Sequence, residues 1–566
     1  MTESLETGRE EYTKDGSVDL RGNPARRSKS GGWTACSFVV VYEVFERMAY
    51  YGVSTNLVIY LSTKLHMGTV SSSNNVTNWV GTVWMTPILG AYVADAHLGR
   101  YWTFIVSSII YLSGMCLLVL AVSLPALKPP VCSNIADPSG CEKTSTLQLG
   151  FFFFALYLLA VGTGGTKPNI STIGADQFDE FDPKEKSHKL SFFNWWMFSI
   201  FIGTLFANSV LVYIQDNVGW TVGYTLPTVG LAISIVIFLA GTPFYRHKIP
   251  AGSPFTRMTR VIVAAVRKSR VRLPDDPKEL HELDGEMYAK KAKFRIDSTP
   301  SLRLLNKAAV RTGSTSVWSL STVTQVEETK QILRMIPILF ATFIPSIMLA
   351  QVNTLFIKQG VTLDRRMGPH FKIPAASLTV FVTLSMLVSV VLYDRYFVAI
   401  MRRWTGNPRG ISLLQRIGVG FVLHIIIMAV ASLTERRRLA VARASGVVET
   451  GGQVPLTIFV LLPQFVLMGV ADAILEPGDL LRLTTIGVGS FLSSILLSSM
   501  ASLTQRNGHR GWILNNLNAS RLDYYYAFFA VLNIVTSSSS SSSASSTSTG
   551  RRPPSPPASS REIEAW

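Results

Sequence analysis

Stretches of about twenty mostly apolar residues recur along this chain, and they constrain its fold more than any other feature. As a helix, such a run crosses the roughly 30 Å hydrocarbon core of a bilayer. Clear cases are 332–350, with Arg334 near its start, and 456–470. Hydrophobic residues make up 48% of the 566, charged residues only 16%, and the charges gather between the runs. A soluble chain of this length carries about 25% charged residues. Taken in order, the runs predict spans at 33–61, 76–93, 102–122, 147–173, 192–212, 224–244, 332–356, 374–393, 413–433, 455–475 and 486–503, with a short last one at 524–535. A polar, mostly basic segment, 245–330, separates the sixth from the seventh. This order predicts an all-α polytopic membrane protein made of two related six-helix halves, with a substrate site between them near the midplane. The expected division is a tail at 1–32, one half at 33–245, a basic loop at 246–330, a second half at 331–535 and a Ser/Pro-rich, disordered tail at 536–566.

The formal charge of +17 raises nucleic acid as a partner, but no basic stripe is interleaved with aromatics on a soluble module. Membrane proteins instead hold Lys and Arg in cytoplasmic loops. Arg26, Arg27 and Lys29 before the first span, Arg100, the central segment, and Arg395, Arg402, Arg403, Arg409 and Arg416 all fall on one side. That side is expected to be cytoplasmic, with the N-terminus inside. One stretch disagrees: Arg436, Arg437, Arg438 and Arg443 follow the ninth span on the predicted outer side. No short apolar core follows a basic start directly, so a cleaved signal peptide is not expected. The sequon at Asn75 falls outside but close against the second span, a poor place for a glycan. Cys36 and Cys116 lie in apolar runs and read as packing residues. Cys132 and Cys141 flank a polar outer loop, where a disulfide is an open alternative to two thiols.

Charges inside spans are costly, about 2.5–3.5 kcal/mol each at mid-bilayer on insertion scales, so they face cavities and pair. The first span holds Glu43, Glu46 and Arg47, followed by Tyr50 and Tyr51. Spacings of three and four put the charges on one helix face, and Glu43 to Arg47 is the favourable order for an i,i+4 pair. Carboxylates held beside an arginine are natural proton acceptors. The fourth span carries Gly162, Gly164, Gly165, Lys167 and Pro168, which suggests a helix broken at a binding site. It lacks the phosphate-loop spacing and the preceding strand. Asp472 lies in the tenth span, the counterpart of the fourth when the halves are overlaid, so Lys167 and Asp472 are expected to attract across the cavity as a gate. The acidic stretch 176–182 lacks calcium-loop spacing and reads as a solvated loop.

These stretches resemble the proton-dependent oligopeptide transporter family of the major facilitator superfamily, in particular its plant nitrate/peptide branch. Glu43, Glu46 and Arg47 with Tyr50, Tyr51 and Gly52 match the family's first-helix motif. The segment 90–100, with Asp95 and Arg100, matches the superfamily loop motif, and 164–179 with 192–196 matches the family signature. The segment 243–254 is typical of the plant branch, and the closest likeness is to a subfamily with a peptide-transporter-named member. The resemblance implies a major-facilitator fold and symport of protons with a small-molecule substrate, a di- or tripeptide, nitrate or another organic anion, driven by the proton gradient with no cofactor or metal. It implies that Glu43 and Glu46 couple protons with Arg47 as partner, that Tyr50, Lys167 and Asp472 line the cavity or gate, and that Asp95 and Arg100 switch conformation. Peptide-transporting relatives carry an arginine seven residues past Arg47; here that residue is Ser54. The plasma membrane is the expected location, the vacuolar membrane the alternative.

The end of the chain departs from the family pattern. About twenty residues are missing between Glu476 and Ile486, and the last apolar run is only about twelve residues long, ahead of serines 537–543. A non-transporting membrane protein, a sensor or a defective splice product, is therefore the alternative to a symporter. A membrane enzyme is not expected: His424 stands alone in the ninth span, with no nucleophile cluster around it.

Overall fold

A computed structural model describes residues 12–130, 144–250, 252–284, 287, 295–313, 316–406, 410–475, 479–505 and 511–548. Cys132 and Cys141, and with them the proposed disulfide, lie outside the described residues. The first half of the sequence forms α1 (Gly32–Ser54), α2 (Leu57–Thr63), α3 (Thr69–Val93), α4 (Arg100–Ser123), α5 (Thr146–Ala175), α6 (Pro183–Phe206), α7 (Val212–Asn217) and α8 (Trp220–Ala240). The central segment contributes α9 (Pro254–Arg267) and α10 (Arg303–Asn306). Then follow α11 (Val323–Leu349), α12 (Leu355–Val361), α13 (Thr379–Leu392), α14 (Val398–Thr405), α15 (Leu413–Ala444), α16 (Leu462–Leu475), α17 (Asp479–Thr504) and α18 (Leu522–Ser548). Short strands β1 (Leu363–Asp364) and β4 (Val454–Thr457) pair in parallel, and β2 (Arg366–Met367) pairs antiparallel with β3 (Phe371–Lys372).

Among the described residues, eight helices, some of them joined segments, are long and apolar enough to cross a membrane, or nine if the bent halves of α11 count as one span. Three of the twelve expected spans fall outside that count for physical reasons: α1 carries Glu43, Glu46 and Arg47, α3 opens on Ser71, Ser72, Ser73, Asn74 and Asn75, and α18 passes into serines after a short apolar run. The spans present bare apolar side chains outward, such as Val236, Phe154 and Ile109, each more than half exposed. Hydrocarbon rather than water suits such a surface. Among the described residues, the π-turns Ala207–Leu211 and Tyr393–Phe397 lie within helix that continues across them, while Ala94–Leu98 ends α3 at Gly99, ahead of α4.

Helix starts follow local chemistry. Ser145, Thr322 and Ser412 each accept from the amide three residues on, and the glutamine there returns the bond, which caps α5, α11 and α15. Asp182 caps α6, with Pro183 at its first position. Packing joins α4 to α5, α3 to α5, and α1 to both α6 and α8; farther along the chain it joins α13 to α16 and α15 to both α16 and α18. The most extensive contact between the early and late helices is that of α3 with α17.

Several sequence expectations change. α5 runs unbroken through Gly162–Pro168; its glycines serve close packing instead. A Cβ on Gly162 would lie 2.4 Å from the Tyr111 amide nitrogen on α4, and one on Gly90 of α3 would lie 2.1 Å from the Gly164 carbonyl oxygen. Arg436, Arg437, Arg438 and Arg443 do not form an outer loop, because α15 extends to Ala444. Arg438 is fully buried there, with its guanidinium 2.7 Å from Glu435, also fully buried, and bonded to Thr362, Asn518 and the Leu517 carbonyl. Gln359 on α12 donates to the same carboxylate at 2.6 Å, and Tyr526 on α18 donates to Gln359 at 3.2 Å. α18 is helical from Leu522 to Ser548, but it is not among the helices apolar enough to cross a membrane, in keeping with its short apolar run. Cys36 is buried as expected, but Cys116 is exposed. The central segment is not only a charged loop. α9 buries Val261, Ala264 and Ala265 with Leu280, Ala308, Val323 and Val326 in a small second core.

Candidate functional site

The site is built on α1. Its carboxylates and guanidinium are buried: Glu43 is 0% exposed, Glu46 1% and Arg47 8%. Arg47 Nε lies 2.8 Å from Glu43 Oε1 and 2.7 Å from Glu46 Oε2. Neither contact is an aligned hydrogen bond, so Coulomb attraction in a poorly screened interior holds the three together. The i,i+4 spacing read from the sequence thus gives the expected juxtaposition.

Lys167 projects from α5 toward the same cluster and interacts electrostatically with Glu43, Glu46 and Arg47. Its Nζ sits 3.9 Å from the Tyr50 ring centroid and 4.6 Å from that of Trp84 on α3. The ammonium makes no hydrogen bond. Two aromatic faces are its nearest stabilisation, worth about 2 kcal/mol when desolvated. Trp79 stacks on Tyr50 at 6.0 Å and ties α3 to α5 through a 2.8 Å bond to the Leu156 carbonyl. Trp84 and Trp79 were not singled out from the sequence. Their only prior signal was that tryptophans recur five residues apart in a span rich in Asn, Ser and Thr. With every group ionised, two carboxylates balance one guanidinium and one ammonium. A single added proton leaves the cluster cationic.

Asp472 is not paired with Lys167. Its carboxylate lies 3.2 Å from the Arg482 guanidinium on α17, in a narrow cleft shared with His424, Ser346 and Thr485. α17 begins only four residues after α16 ends, at Asp479 after Leu475, so the short connection brings Arg482 back onto α16. Tyr51, next to Tyr50, is within electrostatic reach of Arg47 and Glu46 on one side and of Arg482 and Asp472 on the other. The two charged clusters therefore border one region.

Asp95 and Arg100 bracket the turn between α3 and α4, at the end where the N-terminal tail docks. Arg100 lies 3.8 Å from Asp95 and only 2.5 Å from Asp176, which also faces Lys248 at 3.5 Å. The stretch 176–182 is solvated only in part: Gln177, Phe178 and Asp179 are fully buried, while Glu180 and Phe181 are exposed. Asp179 accepts from the Lys14 amide at 2.7 Å and pairs with Arg27 at 2.5 Å, while Arg27 also holds Asp182 at 3.0 Å. Burial pushes the Asp179 carboxyl up, but the Lys14 amide and Arg27 outweigh it and hold it below the usual carboxylate range. Arg246 pins the same region, bonded to Glu185 at 2.7 Å and to the Ser30 carbonyl at 2.7 Å.

The opposite end is closed by bonds between early and late helices. Lys358 on α12 donates to Thr69 at 3.1 Å and Ser72 at 3.3 Å. Asn515 accepts from the Thr69 amide at 2.9 Å, Asn74 donates to Ser498 at 2.7 Å, and Arg365 meets Asp216 at 3.0 Å. The sequon residue Asn75 is spent within α3, donating to the Ser71 carbonyl.

The sequence profile of the POT family matches residues 101–522. The chain belongs to the POT family. POT proteins are transporters, not enzymes, and are driven by protons rather than by a bound cofactor. Relatives include the Arabidopsis thaliana proteins named NRT1/ PTR FAMILY 5.2, 64% identical over 542 residues and covering 93% of each chain, and NRT1/ PTR FAMILY 5.3, 65% identical over 542 residues and covering 93% of this chain and 92% of the relative. The fold is that of an auto-inhibited POT family peptide transporter, with a TM-score of 0.63 at 17% identity over 93% of this chain and 99% of that one. It is also that of the POT transporter PepTSo, with a TM-score of 0.59 at 16% identity over 89% and 98%. The fold is thus an all-α, multi-span membrane fold of POT type, and the plant nitrate/peptide resemblance holds.

Proposed function

We propose that this chain is a proton-coupled symporter that carries small peptides or nitrate across a membrane by alternating access between two six-helix halves, 33–245 and 331–535. The observation that carries this reading is the buried, charge-balanced cluster of Glu43, Glu46, Arg47 and Lys167, with the Lys167 ammonium under Tyr50 and Trp84 and no hydrogen bond of its own. Buried charges are costly and persist in spans where they serve a pathway. Glu43 and Glu46 take the proton, Arg47 holds them, and Tyr50 and Lys167 face the substrate; protonation makes the cluster cationic and so receptive to an anion. Asp472, paired with Arg482, borders the same region from the second half. Asp95 and Arg100, through Asp176, join the end of α3 to that of α5, which suits a switch at the cytoplasmic face. The basic segments support a cytoplasmic position for that face and the N-terminus; the plasma membrane is the location we propose, with the vacuolar membrane the alternative.

The alternative, an inactive membrane protein, drew its weight from the altered end. The buried first turns of α18, with Leu522, Tyr525, Tyr526 and Phe529 enclosed and the helix packed on α15, weigh against it. The test is uptake of labelled dipeptide and labelled nitrate, offered separately, at about pH 5.5 and about pH 7.5 by cells expressing this chain. Acid-stimulated accumulation of either cargo is the expected result. No uptake by protein confirmed at the surface sinks the proposal.

A further inference from the structure

The central segment carries its charge unevenly. Between Pro254 and Leu273 there are six basic residues and no acidic one. Three of the six are spent inside the protein. Arg257 lies 3.8 Å from Glu328, Arg260 stands over the Trp318 ring at 5.6 Å, and Lys268 donates to the carbonyls of Ala308 and Val310. The other three, Arg267, Arg270 and Arg272, are exposed. Arg303 joins them, exposed at the start of α10, which packs on α9 and is tied to the end of it by the Lys307 ammonium on the Ser269 carbonyl. Among the described residues, none of these four guanidiniums has an ion pair or a side-chain hydrogen bond. Val266, 66% exposed, adjoins Arg267 in the chain, and Leu304, 76% exposed, adjoins Arg303.

The depth of this patch follows from the helix on which α9 rests. Val261 and Ala264 of α9 are buried in one cluster with Val323 and Val326 of α11. The apolar run of α11 begins at Ile332, six residues past Val326, a rise of about 9 Å. The headgroup layer is about 5–8 Å deep on each side of the hydrocarbon core, and surface charge acts over about 8 Å at physiological ionic strength. The patch therefore lies at the edge of the headgroups rather than far out in solution. We propose that Arg267, Arg270, Arg272 and Arg303 form a docking surface for the anionic phospholipid headgroups of the adjoining leaflet, with Val266 and Leu304 seated among them. A guanidinium takes a phosphate through two parallel N–H donors. Exposed apolar side chains among the cations favour a lipid surface over a nucleic acid or an acidic protein, because acyl carbon lies beneath the phosphates. Docked in this way, the central segment steadies the start of α11 against the bilayer.

The choice of leaflet rests on the cytoplasmic position proposed above; the lipid contact itself does not. The test uses the full chain in nanodiscs of phosphatidylcholine alone or with about 30% phosphatidylserine. Both leaflets of such a disc carry the anionic lipid, so the outcome is independent of orientation and of transport. Backbone hydrogen exchange over 266–273 is expected to slow about tenfold in the anionic discs, and to lose that protection as salt is raised to about 0.5 M. Arg267→Gln, Arg270→Gln, Arg272→Gln and Arg303→Gln together should abolish the difference between the discs. The same four changed to lysine should keep most of it, and Val266→Ser with Leu304→Ser should leave a smaller one. Thermal melting identifies any variant that fails to fold, and the salt series on the wild type gives an answer that needs no variant. Equal exchange of the wild type in the two discs, or protection kept by the four-glutamine variant, overturns the inference while leaving symport untouched. Labelling of Ser269→Cys on intact cells by an impermeant maleimide overturns the choice of leaflet, and with it the orientation proposed above.

Discussion

At the scale of single residues, Lys167 and Glu46 invite the sharpest test. Lys167→Ala removes an ammonium whose burial cost is offset mainly by two rings, so its effect on stability should stay within about 2 kcal/mol. Its effect on coupling should be complete: proton-driven accumulation falls to background while surface expression is unchanged. Glu46→Gln takes one of two carboxylates from Arg47, leaves the cluster with an excess positive charge when its remaining groups are ionised, and should likewise abolish accumulation. Uptake assays with surface labelling decide both, and normal uptake in either variant removes this cluster from the mechanism. Glu43, Glu46, Arg47 and Lys167 were legible in the sequence because charge in an apolar run is conspicuous. Trp84 and Trp79 were not, since an aromatic in a span reads first as packing. The Asp472–Lys167 pairing was a reasonable expectation from half-to-half equivalence. Arg482 overrides it because the connection after α16 is so short, and sequence spacing alone did not show which way that arginine would fold back.

At the scale of elements, buried pairs fix how helices are joined. Glu435 and Arg438 are both fully enclosed and share bonds with α12 and with the segment leading into α18. Glu435→Gln leaves the guanidinium uncompensated and should cost about 3–5 kcal/mol, read as a large drop in melting temperature. A well-packed double replacement should cost much less. The sequence placed these arginines on an outer loop, because a hydropathy window ends a span where charge begins, whereas a helix ends where its backbone bonds end. The docked tail behaves in the same way at the other face. Arg27→Ala should release it by about 2 kcal/mol, seen as faster tryptic cleavage near Lys14 and Arg21. Since Asp179 is held below the ordinary carboxylate range, its contribution is present at neutral pH and is lost only as pH falls through that lowered value. Docking should therefore survive at pH 5 and weaken only below about pH 4.

At the scale of the whole molecule, the conformation is closed at the end far from the tail. Lys358, Arg365, Asn74 and Asn515 bind across that end. Combining Lys358→Ala with Arg365→Ala should shift the population toward opening there by about 1–3 kcal/mol, some 5- to 150-fold. Thiol labelling of a cysteine placed at Ser73 would report it; unchanged labelling would mean that α3 against α17 carries the closure alone. The apolar runs made the multi-span fold legible at once. Which helices meet was not, because contacts such as α3 with α17 depend on small residues whose partners lie hundreds of positions away. One of those small-residue contacts has a mechanical meaning. At Gly90, Gly164 and Gly162 the backbones of α3, α4 and α5 rest on one another with no side chain between. A joint without a cushion has no play. If the proposed symport tilts α5, the close backbone contacts at Gly162, Gly164 and Gly90 would hand that tilt to α4 and α3 with little loss, as one stiff lever.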